Sequence, residues 1–317
     1  MQQARRVRRY VVVGCGAVGG LYGARLAAAG HPLGFLARSD VDHLRRSGLV
    51  VESVDGDVRL PAGSFAAASD PAELGEADVV VVAIKTTDNG ALGALLPPLV
   101  GPSTTVVVLQ NGLGVEATAA AAAPAARAVV GGMCFVCAAK VGPAHVRHAD
   151  YGAVTLAAHT GSLDDDGAVG SEWAKSGIEV AVTDDLVTAR WRKLLWNVPF
   201  NGLTAVLDVG TDELLADPAA RAMAIDLMAE VVAGGRACGA RIGSADADEM
   251  VARTESMVPY RTSMALDRVA GRRTEHDTIY GAAVRAAAEA GVAMPRVEQL
   301  WRMLELLDVT AAGRTSP

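Results

Sequence analysis

The chain has 317 residues, long for one hydrophobic core and comfortable for two. Apolar residues make up 51% of it and aromatics only 4%, so the cores must be built from Ala, Val and Leu. A formal charge of -7 works against a nucleic-acid partner, because phosphate binding needs clustered Lys and Arg. The one basic run, Arg5, Arg6, Arg8 and Arg9, is short and reads as a solvated flank. No stretch approaches the roughly 20 apolar residues that span a bilayer, and Tyr10–Val13 is too short for a signal sequence. The cysteines Cys15, Cys134, Cys137 and Cys238, in a chain without an export signal, do not form a disulfide framework. The expectation is a cytoplasmic protein with neither membrane nor nucleic acid as partner.

In chain order, Tyr10–Val13 predicts a first strand and Val18–Ala29 a helix, stopped by Gly30 and Pro32. Leu33–Ala37 predicts a second strand. Val79–Ile84 and Val106–Leu109 are continuous apolar runs, the pattern of strands covered on both faces. Ala117–Ala126 reads as a packing helix, and Ala128–Val130 and Met133–Ala138 as further strands. Val141–Ala158 reads as an antiparallel addition, with Gly142-Pro143 and Gly152 marking turns. Leu163–Gly170 reads as a polar loop. From about Asp184 the apolar spacing turns helical, over Val187–Val206, Asp217–Ala237, Asp246–Met257, Ser263–Val269 and Glu275–Ala290. The tail Ala311–Pro317 reads as disordered. The fold class is α/β: an N-terminal Rossmann-type doubly wound parallel sheet over residues 1–180, then a C-terminal all-helical domain over 181–317.

Two stretches carry the chemistry. The first is G-x-G-x-x-G at Gly14, Gly16 and Gly19, between a strand and a helix. Gly14 permits the tight turn, Gly16 lets backbone approach a pyrophosphate, and Gly19 allows close helix–strand packing. The anion then lies against the positive end of the helix, beside Ala17 and Val18. At the end of the second strand stands Arg38-Ser39-Asp40. Arg38 directly after the apolar run favours a 2′-phosphate and hence NADP(H). The competing reading has Asp40 holding the ribose and Arg38 merely solvated. Lys85 and Asn111 lie just beyond the carboxyl ends of two strands, where open α/β sheets bind ligands.

The second stretch is Trp191–Asn201, in which Lys193, Asn197 and Asn201 follow at i, i+4 and i+8 and share a helix face. Asn is a poor helix-interior residue, so two of them below a lysine suggest a role. Pro199 removes a backbone donor and displaces Asn201 from the ideal line. Further on, Thr274 reads as an N-cap paired with Asp277, which puts Glu275 in the first turn of a helix. Cys134 and Cys137 lie in an apolar strand-like run with no second pair to complete a zinc site. His145, His148 and His159 lack a ligand spacing, and no metal is expected.

Taken together, GCGAVGG (14–20), AIKTTD (83–88), LQNGLG (109–114), WRKLLWNVPFNGLTA (191–205), TSMALD (262–267) and RRTEHDTIYG (272–281) resemble the ketopantoate reductase (2-dehydropantoate 2-reductase) family over nearly the whole chain. The resemblance implies NADPH-dependent reduction of 2-dehydropantoate to pantoate. It implies Lys193 as general acid and Glu275 as the carboxylate that binds the substrate hydroxyl and helps hold the lysine. Asn111, Asn197, Asn201 and Ser263 would bind substrate, with Asn111 setting it beside the cofactor. Arg38 would meet the 2′-phosphate, and Lys85 would be a lysine of the cofactor and active-site cleft. These roles suit the chemistry, since ketone reduction builds negative charge on an oxygen that an ammonium can stabilise and protonate. The pattern departs from the family at Gly202, where Pro is frequent, at Pro199, and at Tyr280, where Asn before Gly is common. Those departures keep open another small 2-keto acid as substrate, or an NADP-sensing protein without turnover. The resemblance is compatible with a homodimer through the helical domain.

Overall fold

The computed structural model describes residues 7–163 and 168–314. Arg5 and Arg6 of the basic flank, residues 164–167 of the polar loop and residues 315–317 of the tail lie outside the described residues. The chain divides into two compact units, Met1–Gln110 with Val115–Asp184, and Asn111–Gly114 with Asp185–Pro317.

The first unit is built on strands β1 (Tyr10–Val13), β2 (Leu33–Leu36), β3 (Leu49–Ser53), β4 (Val58–Leu60), β5 (Ala66–Ala68), β6 (Val79–Val82), β7 (Thr105–Val108), β8 (Ala128–Gly142), β9 (His145–Thr160) and β10 (Val180–Thr183). Among the described residues they form one sheet, in the order β4-β3-β9-β8-β7-β6-β1-β2-β5, with β10 beside β9. The run from β5 through β8 is parallel throughout. Its helices are α1 (Ala17–Ala28), α2 (Val41–Ser47), α3 (Leu92–Leu95), α4 (Val115–Ala122) and α5 (Ala168–Lys175). Tyr10 and Val12 pack into a layer with Leu21 and Leu26 of α1 and Trp173 of α5, whereas Val11 and Val13 pack into the opposite layer with Leu92 and Val115. Both faces of β1 are therefore dry, which is why its sequence is uninterruptedly apolar. Each buried Val contributes about 1.5–3 kcal/mol relative to exposure. The chain places β2 on one side of β1 and β6 on the other. That reversal of strand order is where open α/β sheets bind ligands.

Several expectations need correction here. Residues 41–68 hold α2 and β3–β5, which the sequence pattern does not announce. β8 is one continuous strand where two were expected, because β9 pairs with it along almost its whole length. Gly142-Pro143 does turn the chain, with Ala144 in the left-handed region (φ 44). Gly152 does not turn it. Together with Tyr151 (φ 58) it forms an irregularity in the β8–β9 ladder, opposite Phe135–Val136. Ala168–Gly170, assigned above to the polar loop, begin α5.

The second unit contains α6 (Leu186–Trp196), a π-turn at Asn197–Asn201, α7 (Gly202–Leu207), α8 (Thr211–Ala216), α9 (Pro218–Ala237), α10 (Ser244–Ser256), α11 (Ser263–Val269), a second π-turn at Asp277–Gly281, α12 (Ala282–Glu289) and α13 (Pro295–Arg314). Asp185 caps α6 through the Thr188 N–H, and Asp217 with Pro218 starts α9. The single helix expected over Val187–Val206 is interrupted by the first π-turn. Pro199 has no N–H and its ring collides with the carbonyl four residues back, and one extra residue in the turn relieves both. The tail expected to be disordered is helical through Arg314. Buried Val297, Leu300, Trp301 and Leu304 anchor α13, and helix propagation carries it onward. No helix among the described residues is long and apolar enough to cross a membrane.

Candidate active site

In the first unit the glycine loop joins β1 to α1. Gly14 has φ +103, and a Cβ on it would stand 2.8 Å from the Ile84 side chain and 2.9 Å from the Ile84 amide. A Cβ on Gly19 would overlap the Gly14 carbonyl oxygen and press on Val12 and Ala83. Both glycines are therefore required by the fold itself. Gly16 differs, since a Cβ there would meet nothing within 4 Å. No side chain caps α1, whose N-cap is Gly16, and its first turn carries no acidic residue. Open space at Gly16, beside uncapped N–H groups at the positive end of a twelve-residue helix, fits the pyrophosphate of a nicotinamide dinucleotide.

At the end of β2, the Arg38 side chain is 88% exposed and approaches Asp88 at 3.8 Å, a rim pair of little energetic weight. Asp40 is buried and occupied: Lys140 Nζ lies 2.6 Å from Oδ2, the Ala144 N–H donates to the same oxygen at 2.9 Å, and the Ser39 hydroxyl donates to Oδ1. Burial pushes the Asp40 carboxyl up, but the hydrogen bonds from Lys140 and Ala144 outweigh it and hold the group below the usual carboxylate range. Asp40 is thereby engaged in closing the β8–β9 hairpin. Lys85 is half-buried and immediately precedes a 3-10 turn at Thr86–Ala91.

In the second unit Lys193 is half-buried on α6, with Nζ 6.0 Å from the centre of the Trp196 ring. One turn later Asn197 is buried, and its Nδ2 donates to Asn111 Oδ1 at 3.4 Å. Asn201 is only 2% exposed, and its Oδ1 has no hydrogen-bond partner among the described residues. Burying an unpaired amide oxygen costs about 1–3 kcal/mol, so the atom calls for an explanation. Ser263 opens α11 directly after its N-cap, Thr262. The Thr262 and Thr204 hydroxyls are 2.8 Å apart, and Thr204 also bonds back to Phe200 O, so the start of α11 is tied to the stretch carrying Asn201.

Glu275 is buried just ahead of the second π-turn, but not in the way expected. Thr274 caps no helix. Its N–H and hydroxyl both donate to Asp308 Oδ2 of α13, at 2.9 and 3.2 Å, and the first helical residue is His276. Asp277 pairs with Arg285 instead. The Thr262 cap was legible as a Thr before an apolar helical run, whereas Asp308, 34 residues from Thr274, has no local signal. Among the described residues, no three His, Cys, Asp or Glu side chains are grouped to hold a metal ion. None of the four cysteines is in a disulfide among the described residues, and burial pushes the Cys15 thiol up to about 12.

Comparison with known proteins bears on both units. Residues 10–161 match the family described as "Ketopantoate reductase PanE/ApbA", and residues 185–308 match its C-terminal counterpart. The chain belongs to the ketopantoate reductase family. It is 42% identical over 95% of both chains to a 2-dehydropantoate 2-reductase of Nostoc sp., and 32% identical to one of Halobacterium salinarum, over 94% of this chain and 98% of that one. The crystal structure of 2-dehydropantoate 2-reductase from Geobacter metallireducens, 36% identical, superposes with a TM-score of 0.89 over 94% of this chain and 99% of that one. As a ketopantoate reductase family member the chain is an oxidoreductase, with a Rossmann-type unit and a helical unit.

Within that family frame, the departures noted in the sequence have a structural explanation. Tyr280 is fully buried within the helical unit, and its hydroxyl donates to backbone oxygens of the 197–201 turn. Pro199 lies inside that turn, and Gly202 follows it. The three departures belong to one packing arrangement.

Proposed function

We propose that this ketopantoate reductase family member reduces 2-dehydropantoate to pantoate with NADPH, on the route to pantothenate and coenzyme A. When bound, the reduced nicotinamide supplies the hydride. The residues that would hold the dinucleotide are Gly14, Gly16, Ala17, Val18 and Gly19 at the pyrophosphate, Arg38 at the 2′-phosphate, and Lys85 and Asn111 nearer the nicotinamide. Arg38 suits a phosphate because its guanidinium is largely exposed and its contact with Asp88 is a weak rim pair. Asp40, the group that would favour NADH, is held by Lys140 and Ala144.

On the helical unit, Lys193 is the general acid. Its ammonium stabilises the negative charge that builds on the ketone oxygen and then gives that oxygen a proton. Glu275 accepts a hydrogen bond from the substrate hydroxyl, and Asn197, Asn201 and Ser263 hold the remaining polar groups of the keto acid. The observation that carries this reading is the Asn201 amide oxygen, buried and unpartnered two turns beyond a half-buried lysine. Core packing gives no reason for it, and a polar substrate does.

The test is NADPH oxidation followed spectroscopically with 2-dehydropantoate, beside pyruvate, 2-ketoisovalerate and NADH. Rapid turnover confined to 2-dehydropantoate with NADPH is the expected result. Turnover only with another keto acid would reject the substrate, turnover equally fast with NADH would reject the role of Arg38, and tight NADPH binding with no turnover would reject the enzyme.

A further inference from the structure

Tyr280 takes no part in the chemistry above, yet it sits at the centre of the helical unit. It belongs to the π-turn Asp277–Gly281, five residues after Glu275, and is 0% exposed. Its hydroxyl lies 3.1 Å from the Val198 carbonyl oxygen and 3.3 Å from that of Asn197, so one proton serves two acceptors. Both carbonyls belong to the π-turn that carries Asn197 and Asn201. Pro199 has no N–H to donate, so this stretch of helix has one backbone donor fewer, and the Tyr280 hydroxyl brings a donor to it from another turn. Burial keeps the phenol protonated far beyond its ordinary range, so it remains a donor at every working pH.

The space for this hydroxyl is made by Gly202. A Cβ there would stand 2.7 Å from the Tyr280 oxygen and 2.6 Å from the Leu300 side chain. The second π-turn also grips the Asn111 segment. The Leu113 N–H donates to Thr278 O at 2.9 Å, and a Cβ on Gly112 would overlap that same carbonyl. A single turn thus holds Asn197–Asn201 through Tyr280 and Asn111–Leu113 through Thr278.

We propose that Tyr280 is a positioning residue for the substrate: its hydroxyl fixes the Asn197–Asn201 π-turn in the register that sets Asn197 against Asn111 and leaves the Asn201 amide oxygen for the ligand. The proposal rests on the reading of those asparagines as keto-acid contacts. Without the hydroxyl, the Asn197 and Val198 carbonyls lose this side-chain donor and the turn can shift, carrying the asparagine amides with it. The expected loss is one of substrate affinity, with no loss of cofactor binding.

The experiment compares the full-length parent with Tyr280→Phe, which keeps the ring and removes only the oxygen. The keto-acid KM should rise about tenfold, the effect of roughly 1.4 kcal/mol of lost positioning. The Kd for NADPH should stay within about twofold, and Tm should fall only modestly, by the loss of one buried hydrogen bond with the ring's packing intact. Amide hydrogen exchange should quicken over residues 200–204 and not elsewhere. Gly202→Ala should raise the same KM by displacing the hydroxyl, and the double variant should be no worse than the more impaired single one. An unchanged keto-acid KM would overturn the proposal. So would KM, NADPH affinity and Tm worsening together, or additive effects in the double variant. If the parent reduces no keto acid, the functional reading fails, whereas unchanged exchange over 200–204 means the hydroxyl does not hold the turn.

Discussion

The glycine loop of the first unit and the Lys193–Asn201 stretch of the second do their work in opposite ways. In the loop, side chains are missing: Gly14 and Gly19 are fixed by what a Cβ would strike, and Gly16 by the open space it leaves. Along Lys193–Asn201, side chains are present and costly, with two buried asparagines, one carrying an unpartnered oxygen. Substitutions in the two places should therefore act differently. Changes in the loop should alter folding or cofactor binding according to position, and changes in the stretch should alter turnover while leaving the fold in place.

The sharpest way to break this contrast is Lys193→Ala. Loss of a general acid should lower kcat by roughly a hundred- to ten-thousandfold. NADPH affinity and Tm should hold, because Lys193 is only half-buried. Lys193→Arg should fare little better, since a guanidinium keeps the charge but does not release the proton. A variant as fast as the parent would end the assignment.

Next comes Gly19→Ala, whose methyl has no room beside the Gly14 carbonyl. A cost of about 3 kcal/mol is expected, read as a lower denaturation midpoint in urea. Arg38→Ala should weaken NADPH binding by roughly ten- to a hundredfold while barely touching NADH, the range given by losing about 1.5–3 kcal/mol of charge-assisted hydrogen bonding. Gly16→Ala should leave the urea midpoint alone and weaken NADPH roughly tenfold, about 1.4 kcal/mol. If Gly16→Ala unfolds the protein as Gly19→Ala does, the loop is only a structural turn and the contrast fails.

The smallest effect concerns Asp40. Its folded-state pKa is depressed, so its stabilising contribution is present above the unfolded value of about 3.9 and is lost as pH falls through the lower folded value. Asp40→Asn should therefore cost about 1 kcal/mol near neutrality. Its stability should converge on the parent's as the pH drops below about 4. A gap that stayed constant down to pH 2 would show that the carboxylate charge does nothing there.

Much of the first unit is legible in the sequence because its signals are local. Tyr10–Val13, the valines of β6 and β7 and the three loop glycines each announce their environment within a few residues. Residues 41–68 are not legible, since β4 and β5 are only three residues long and owe their pairing to β3 and β2. In the second unit the apolar period locates the helices but not their phase. Pro199 points to a disturbance of the helix, but nothing local says that it takes the form of a π-turn or that the buried Tyr280 hydroxyl meets its carbonyls. The Thr274 cap is misread for a similar reason. The pattern fits a helix start, but Asp308 takes both of the threonine's donors.

That last bond has a consequence for how the segment ahead of the second π-turn is held. Asp308, in α13, fastens Thr274 and with it the backbone that leads into Glu275. The two bonds bridge 34 residues, so a change that frays α13 around Asp308 reaches the Glu275 backbone directly, while the glycine loop keeps its own local supports.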